Sequence, residues 1–354
     1  MTDRHQRKLD HIAHCADDRA VFKSHQGLFD DVTLVHNALP EMAMHEIDLT
    51  TPLIKSTLAA PLMVTGMTGG PDKAGEINRG IARVCENLGL AFGVGSQRLL
   101  TDTPDAVRTY SVRDIAPNLV LFGNLGVNQA RDLGPAKVSE LMKSIGADYI
   151  AIHLNAAMEL CQPGADADSD FRGGFDTIGR LVDALDGHVL VKECGCGIGP
   201  DQFRRLVELG VPAIDVSGSG GTSWVKVEAL RATGQLAELG ETFAEWGIPT
   251  LAATALASRI GGAQIISSGG VDSGLKAAKA LALGASIAGT ARPVLQAFLS
   301  GGESGATAFL ETLVAGLRTA MALTGCRRPN ELAERHKLMG PRLQQWLTLD
   351  ETGP

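Results

Sequence analysis

Ser268-Gly269-Gly270 closes an apolar run, and Asp272-Ser273-Gly274 opens a helix-period segment directly after it. Paired glycines let backbone approach an anion closely, and a helix N-terminus offers free N–H groups and positive dipole, so this turn suits a phosphate. Ala288-Gly289-Thr290-Ala291-Arg292-Pro293 adds a second glycine turn and a cation. The same glycines could serve as turns with no ligand. Lys192 ends Val189-Leu190-Val191-Lys192-Glu193, where a charge on an otherwise apolar strand needs a partner. That partner is either Glu193 or a neighbouring carboxylate, or the edge of a ligand that becomes anionic, as a reduced flavin does. Thr68, Ser96, Asn124, His153, Asn155 and Ser217 end other apolar runs. Together they form the convergent polar set of a cofactor site, although each alone reads equally well as a turn or cap residue. Arg7-Lys8, with His11 one turn later, reads in isolation as a solvated charged face, but together with Ser96-Gln97-Arg98 it supplies cations able to grip a diphosphate.

The elements that must position these groups follow from hydrophobic period. Eight short apolar runs, at 61–65, 90–95, 118–123, 148–154, 188–193, 213–217, 263–268 and 286–289, alternate with helix-period segments. Helices are predicted over 72–87, 136–145, 175–185, 200–209, 253–260 and 273–283, with a last one at 307–323. Eight parallel strands, each followed by a helix, close most simply into a (βα)8 TIM barrel of the α/β class, its active site on the loops after the strands. A doubly wound open sheet is the structural alternative. Residues 1–57 hold six of the nine histidines and read as an N-terminal extension covering one barrel mouth. The barrel is assigned to 58–326. The polar tail 327–354 is expected to be mobile. A long loop after strand 6, residues 218–247, exceeds the usual βα connection, which points to function.

A net charge of −8 argues against broad nucleic-acid or membrane-surface binding, so an anionic ligand must be held by local cations or backbone amides. Hydrophobic content of 44% with 42 glycines and only 4% aromatics suits an aliphatic core with many tight turns. The start is charged from its third residue, and no apolar run approaches membrane-spanning length, so a cytoplasmic location is expected. The six cysteines are scattered, as in reduced chains, and Cys194-Gly195-Cys196 lacks the second pair that a zinc site needs.

The runs Arg7-Lys8-Leu9-Asp10-His11-Ile12, Gly66-Met67-Thr68-Gly69-Gly70, Gly95-Ser96-Gln97-Arg98, His153-Leu154-Asn155, Val191-Lys192-Glu193, Gly220-Gly221-Thr222-Ser223-Trp224 and Ser268-Gly269-Gly270 occur in this order. In combination they resemble the type 2, FMN-dependent isopentenyl-diphosphate delta-isomerases over nearly the whole chain. The resemblance implies that Met67, Thr68, Gly69, Ser96, Asn124, Lys192, Ser217 and Thr222 hold FMN. It places the FMN phosphate on Gly270, Val271, Asp272, Ala291 and Arg292. Substrate diphosphate falls to Arg7, Lys8, Ser96, Gln97, Arg98, His153 and Asn155, with Mg2+ on Glu159. His11, His153, Met158, Trp224 and Glu228 fall at catalytic positions. The implied chemistry is double-bond migration in a prenyl diphosphate by FMN, reduced by NADPH or NADH and acting as acid and base, in a homo-oligomer (tetramer or octamer).

Two positions depart from that pattern. Met158 stands where the family carries Gln, and a thioether has no N–H and is only a weak acceptor. Asp272 stands where related flavin barrels often place Arg. An FMN-dependent 2-hydroxy-acid oxidoreductase would share the barrel and the phosphate loops, yet needs a His base and an Arg clamp, and residues 217–224 hold neither. A flavin-binding relative with altered or lost isomerase activity is the remaining alternative.

Overall fold

The computed structural model describes residues 3–24, 26–164 and 168–349. Eight strands close into a parallel barrel in chain order: β1 Leu62–Val64, β2 Ala91–Gly93, β3 Val120–Gly126, β4 Tyr149–Leu154, β5 Val189–Glu193, β6 Ala213–Asp215, β7 Gln264–Ser268 and β8 Ile287–Thr290. Closure is made by β8 on β1, with Ala288 opposite Leu62 and Thr290 opposite Val64. All eight predicted runs are strands because each is apolar on both faces, as a strand between a barrel interior and a helix layer must be. The interior alternates large and small side chains: Phe122 and Tyr149 stack at 4.9 Å, while Ala91, Ala151 and Ala213 leave them room.

The helix layer departs from strict alternation at one place. After β2 the chain forms two 3-10 turns, Gln97–Thr101 and Pro104–Thr109, instead of a helix. Pro104 and the polar run before it cannot sustain helical bonding there. Elsewhere helices follow the strands, α2 Asp72–Asn87 spanning the predicted range from end to end. α3 Val127–Ser144 is broken at Gly134, whose φ of 73° precedes Pro135, so the predicted helix is only its second half. α4 Ala156–Cys161 and α5 Gly174–Ala184 follow β4, and α6 Pro200–Glu208 follows β5. The long loop after β6 carries α7 Trp224–Arg231 and α8 Gln235–Thr242 before α9 Thr250–Ile260. α10 Gly274–Ala282 follows β7.

Three expectations need correction. The N-terminal segment covers both barrel ends: α1 Asp3–Ala16 crosses the C-terminal mouth, and the hairpin of Thr51–Leu53 with Ser56–Leu58 plugs the other. That plug is held by Gln264 Oε1, which accepts from Ile54 N at 2.6 Å, and by Tyr149 Oη, which accepts from Lys55 N at 3.1 Å. The tail is ordered to residue 349. Lys337–Met339 pairs antiparallel with Val32–Leu34, and Arg342 holds the buried Asp31 carboxylate. The segment after β8, α11 Arg292–Thr324, begins well before the predicted residue 307 and is long and apolar enough to cross a membrane. Gly302, with φ of 58°, breaks its regularity, and Leu310, Leu313, Leu317 and Met321 are buried. Its packing on α10 is so close that a Cβ on Gly274 would lie 2.1 Å from Leu317 N.

Candidate active site

The C-terminal ends of the strands enclose two cavities that share a wall. The first, of about 300 Å³, lies between β8, β1 and the loops after β6 and β7. Met67, Thr68, Lys192, Ser217 and Thr222 line it, as do Gly270, Val271, Asp272, Ala291 and Arg292, so ten predicted cofactor residues meet in one place. The glycines there have a second job. Gly269 and Gly270 have φ of 105° and 89°, and a Cβ on either would lie 2.2–2.3 Å from the carbonyls of Gly218 or Gly220. The two glycine loops therefore interlock backbone to backbone, a contact no side chain permits.

The second cavity, of about 110 Å³, is lined by Arg7, Lys8, Ser96, Arg98, His153 and Asn155 together with Asn124, Met158 and Glu159. Lys8, His11, Met67, Lys192, Cys194 and Trp224 face both spaces. The i, i+1, i+4 spacing of Arg7, Lys8 and His11 puts all three on the inner side of α1, which Ile12 and Cys15 anchor in the core. Ser96 and Asn124, expected on the cofactor, thus stand in the second cavity. His153 Nδ1 lies 2.8 Å from Asn124 Oδ1. Burial, then the charges of Lys192, Lys8 and Arg98, push the His153 imidazole down to about 3, so it is neutral at pH 7.

Three predicted residues lie behind the walls. Gln97 is fully buried, its amide donating to Leu141 O at 2.9 Å and accepting from Asn124 N at 3.1 Å, so it braces β3 and lines neither cavity. Gly69 packs on the Tyr110 ring, where a Cβ would lie 2.0 Å away. Glu228 lines neither cavity. Its Oε1 sits 2.7 Å from His11 Nε2, and its Oε2 accepts from Arg231 Nη1 at 2.5 Å. Burial works against the Glu228 charge, but the bonds from His11 and Arg231 outweigh it and hold the carboxyl below its usual range. Burial also lowers His11, more than Glu228 raises it, which leaves a neutral imidazole donating Nε2–H to the carboxylate. The Trp224 indole meets the His11 ring edge-on at 5.1 Å.

Lys192 is buried and donates to Glu193 O, with Cys194 Sγ 3.9 Å away. Burial opposes its charge, yet the carboxylates of Asp215 and Glu193, with the Cys194 sulfur as a hydrogen-bond acceptor, more than offset this and raise its pKa. An ammonium has three protons, so one remains for a ligand edge. The Glu193 carboxylate accepts the N–H groups of Cys194, Gly195 and Cys196, not a proton of Lys192, and the neighbouring carboxylate that favours the Lys192 charge is Asp215, its register partner on β6. All six cysteines are free thiols, and burial pushes Cys194 up to about 12, so it is not a thiolate at pH 7.

The first cavity fits FMN by its own chemistry. Thr290 Oγ1 is buried there without a hydrogen-bond partner, and the N-terminus of α11 has no side-chain cap. Asp272 is turned to Lys276 at 2.7 Å, and Lys276 itself lines the cavity, as Arg292 does. Sequence reading missed Lys276. Its i, i+4 spacing from Asp272 on a helix was the available signal. The second cavity fits one Mg2+ carried on a phosphorylated ligand. Glu159 is its one carboxylate among the described residues, accepting from Asn155 Nδ2 at 2.9 Å and Asp168 N at 3.1 Å, with lone pairs to spare.

Comparison with known proteins agrees with this geometry. A family model described as FMN-dependent dehydrogenase matches residues 157–338. The isopentenyl-diphosphate delta-isomerase of Methanothermobacter thermautotrophicus is 38% identical over 342 residues, covering 96% of this chain and 95% of that protein. Its namesake in Methanoregula boonei is 41% identical over 348 residues, covering 96% and 95%. Among solved structures, a mandelate oxidase bound to (S)-2-phenylpropionate superposes with TM-score 0.62 at 18% identity, covering 96% of this chain and 98% of that one. A flavocytochrome b2 variant gives 0.65 at 18%, covering 94% and 81%; both show a shared barrel. With relatives this similar along its whole length, the chain belongs to the type 2, FMN-dependent isopentenyl-diphosphate delta-isomerase family.

Proposed function

We propose that the protein converts isopentenyl diphosphate to dimethylallyl diphosphate. The observation that carries this reading is the pair of joined cavities, one suited to a flavin and its phosphate, the other walled by cations, with neutral His11 and Trp224 at the junction. When bound and reduced by NADPH or NADH, FMN supplies a ring nitrogen able to give and take a proton. Arg7, Lys8, Arg98 and Asn155 bind the diphosphate, and Glu159 shares its Mg2+. The aromatic and thioether walls of Trp224 and Met67 exclude water from the alkene. His11, with Nε2–H committed to Glu228, lines both cavities and keeps Nδ1 as a proton acceptor. A cytoplasmic homo-oligomer, tetramer or octamer, belongs to the same proposal. Anaerobic, dithionite-reduced, FMN-loaded protein given isopentenyl diphosphate and Mg2+ is expected to yield dimethylallyl diphosphate. No product would end the isomerase reading and leave a flavin-binding relative. The 2-hydroxy-acid alternative has no support in the loop after β6, where residues 217–224 supply neither His nor Arg.

Two expected results concern single cations. Lys276→Ala should weaken FMN binding to apoprotein ~3- to 10-fold, the discount reflecting partial exposure, whereas Asp272→Asn should tighten or preserve it. Flavin fluorescence titration reads both, and equal affinity in Lys276→Ala and native protein would remove Lys276 from the phosphate site. Lys8 is pushed down to about 7 by burial, then by Arg7 and Arg98. Its cationic form holds the diphosphate, so kcat/KM should fall as pH rises through about 7. Lys8→Arg, which stays charged, should abolish that limb of the profile.

A further inference from the structure

Gln162 stands one turn beyond Met158, at the C-terminal cap of α4. It is 3% exposed and lines the second cavity, yet its Nε2 has no hydrogen-bond partner among the described residues. A buried amide donor without an acceptor is costly and uncommon, so its position calls for a partner that the described residues do not provide. The neighbouring carboxylate does not serve it: Glu159 accepts from Asn155 through one oxygen and from the Asp168 backbone through the other, and Gln162 Nε2 makes no bond to either. The remaining polar groups of this space are mostly donors, with Arg7, Lys8, Arg98 and Asn155 among them. A cavity walled by donors recruits a ligand rich in acceptors.

We infer that Gln162 is a substrate-binding residue, donating its Nε2–H to a diphosphate oxygen of the substrate. The assignment rests on the isomerase reading for the substrate's name, but its chemistry asks only for a phosphate oxyanion at this cavity. It also gives the cavity an amide that position 158 lacks. Met158 offers Asn155 only a thioether, 3.8 Å from Nδ2.

The experiment is calorimetric titration of FMN-loaded protein with inorganic pyrophosphate and Mg2+, beside KM for isopentenyl diphosphate on the reduced form. Gln162→Met removes the donor at similar size, and Gln162→Glu replaces it with a repelling acceptor. Pyrophosphate affinity should fall ~10-fold in the first and further in the second, since a donor to a charged oxygen is worth about that much. KM should move more than kcat, with flavin content and Tm retained. Gln162→Lys, which restores a donor, should bind pyrophosphate at least as tightly as native protein, and it keeps the test decisive if the other variants fold poorly. Affinities within twofold of native in Gln162→Met and Gln162→Glu would overturn the assignment, as would native protein that ignores pyrophosphate. Weakened pyrophosphate binding in the variants, alongside native protein that makes no dimethylallyl diphosphate, would support the Gln162 contact while sinking the isomerase reading.

Discussion

Met158→Gln is expected to raise kcat for isopentenyl diphosphate by ~10²-fold or more, with a smaller change in KM. Met158 lines the substrate cavity, and its sulfur lies 3.8 Å from the Asn155 amide nitrogen. A thioether donates nothing and accepts weakly, so the native protein is left with His11 and the flavin for proton movement. Gln has the same chain length as Met and should place an amide at that spot without repacking α4. Positioned proton-transfer groups are typically worth ~10²–10⁴-fold, which sets the size of the gain. Stopped assays on reduced enzyme, following dimethylallyl diphosphate, measure it. A rate unchanged by the substitution would show that no relay is needed at 158. If turnover of isopentenyl diphosphate stays near zero while that of another prenyl phosphate drops, Met158 marks a changed substrate.

His11→Asn should lower kcat by ~10²–10⁴-fold while FMN content is retained, because the neutral imidazole is the proton acceptor nearest the cavity junction. The pH profile separates chemistry from architecture. Activity needs neutral His11, so kcat should fall as pH drops through the His11 pKa, which burial places below the ordinary value of 6.5. Glu228 raises that pKa, through its hydrogen bond and its charge. In Glu228→Gln the acid limb should therefore move to still lower pH, a displacement that a purely structural carboxylate would not produce. Glu228 touches neither cavity and is a positioning residue, so its substitution should cost less kcat than that of His11. An acid limb that stays where it was in Glu228→Gln would refute the coupling.

The prediction that the tail is mobile failed for a reason visible in the contacts. Residues 337–339 are polar or exposed in part, so their period carries no core signal, yet they complete a two-stranded sheet with 32–34 and are pinned by Arg342 on Asp31. Backbone pairing and an ion pair order them, and neither leaves a hydrophobic pattern.

Along the chain, local chemistry determined the strands, the phosphate turns and Lys192, because a barrel strand must be apolar on both faces and a phosphate turn needs glycine where backbones crowd. Those constraints act within a few residues and are written in order. The joining of distant groups was decided by tertiary packing alone. His11 meets Glu228 across 217 positions, α1 brings Arg7 and Lys8 over the mouth, and the hairpin at 51–58 plugs the opposite end. Gln97 and Gln162 make the distinction sharpest. Both are buried glutamines after barrel strands, but Gln97 spends its amide on Leu141 and Asn124, whereas Gln162 lines the cavity with an Nε2 unpartnered among the described residues. No spacing or residue type separates them, since the difference lies in which acceptors the fold happens to place within 3 Å or so of each amide.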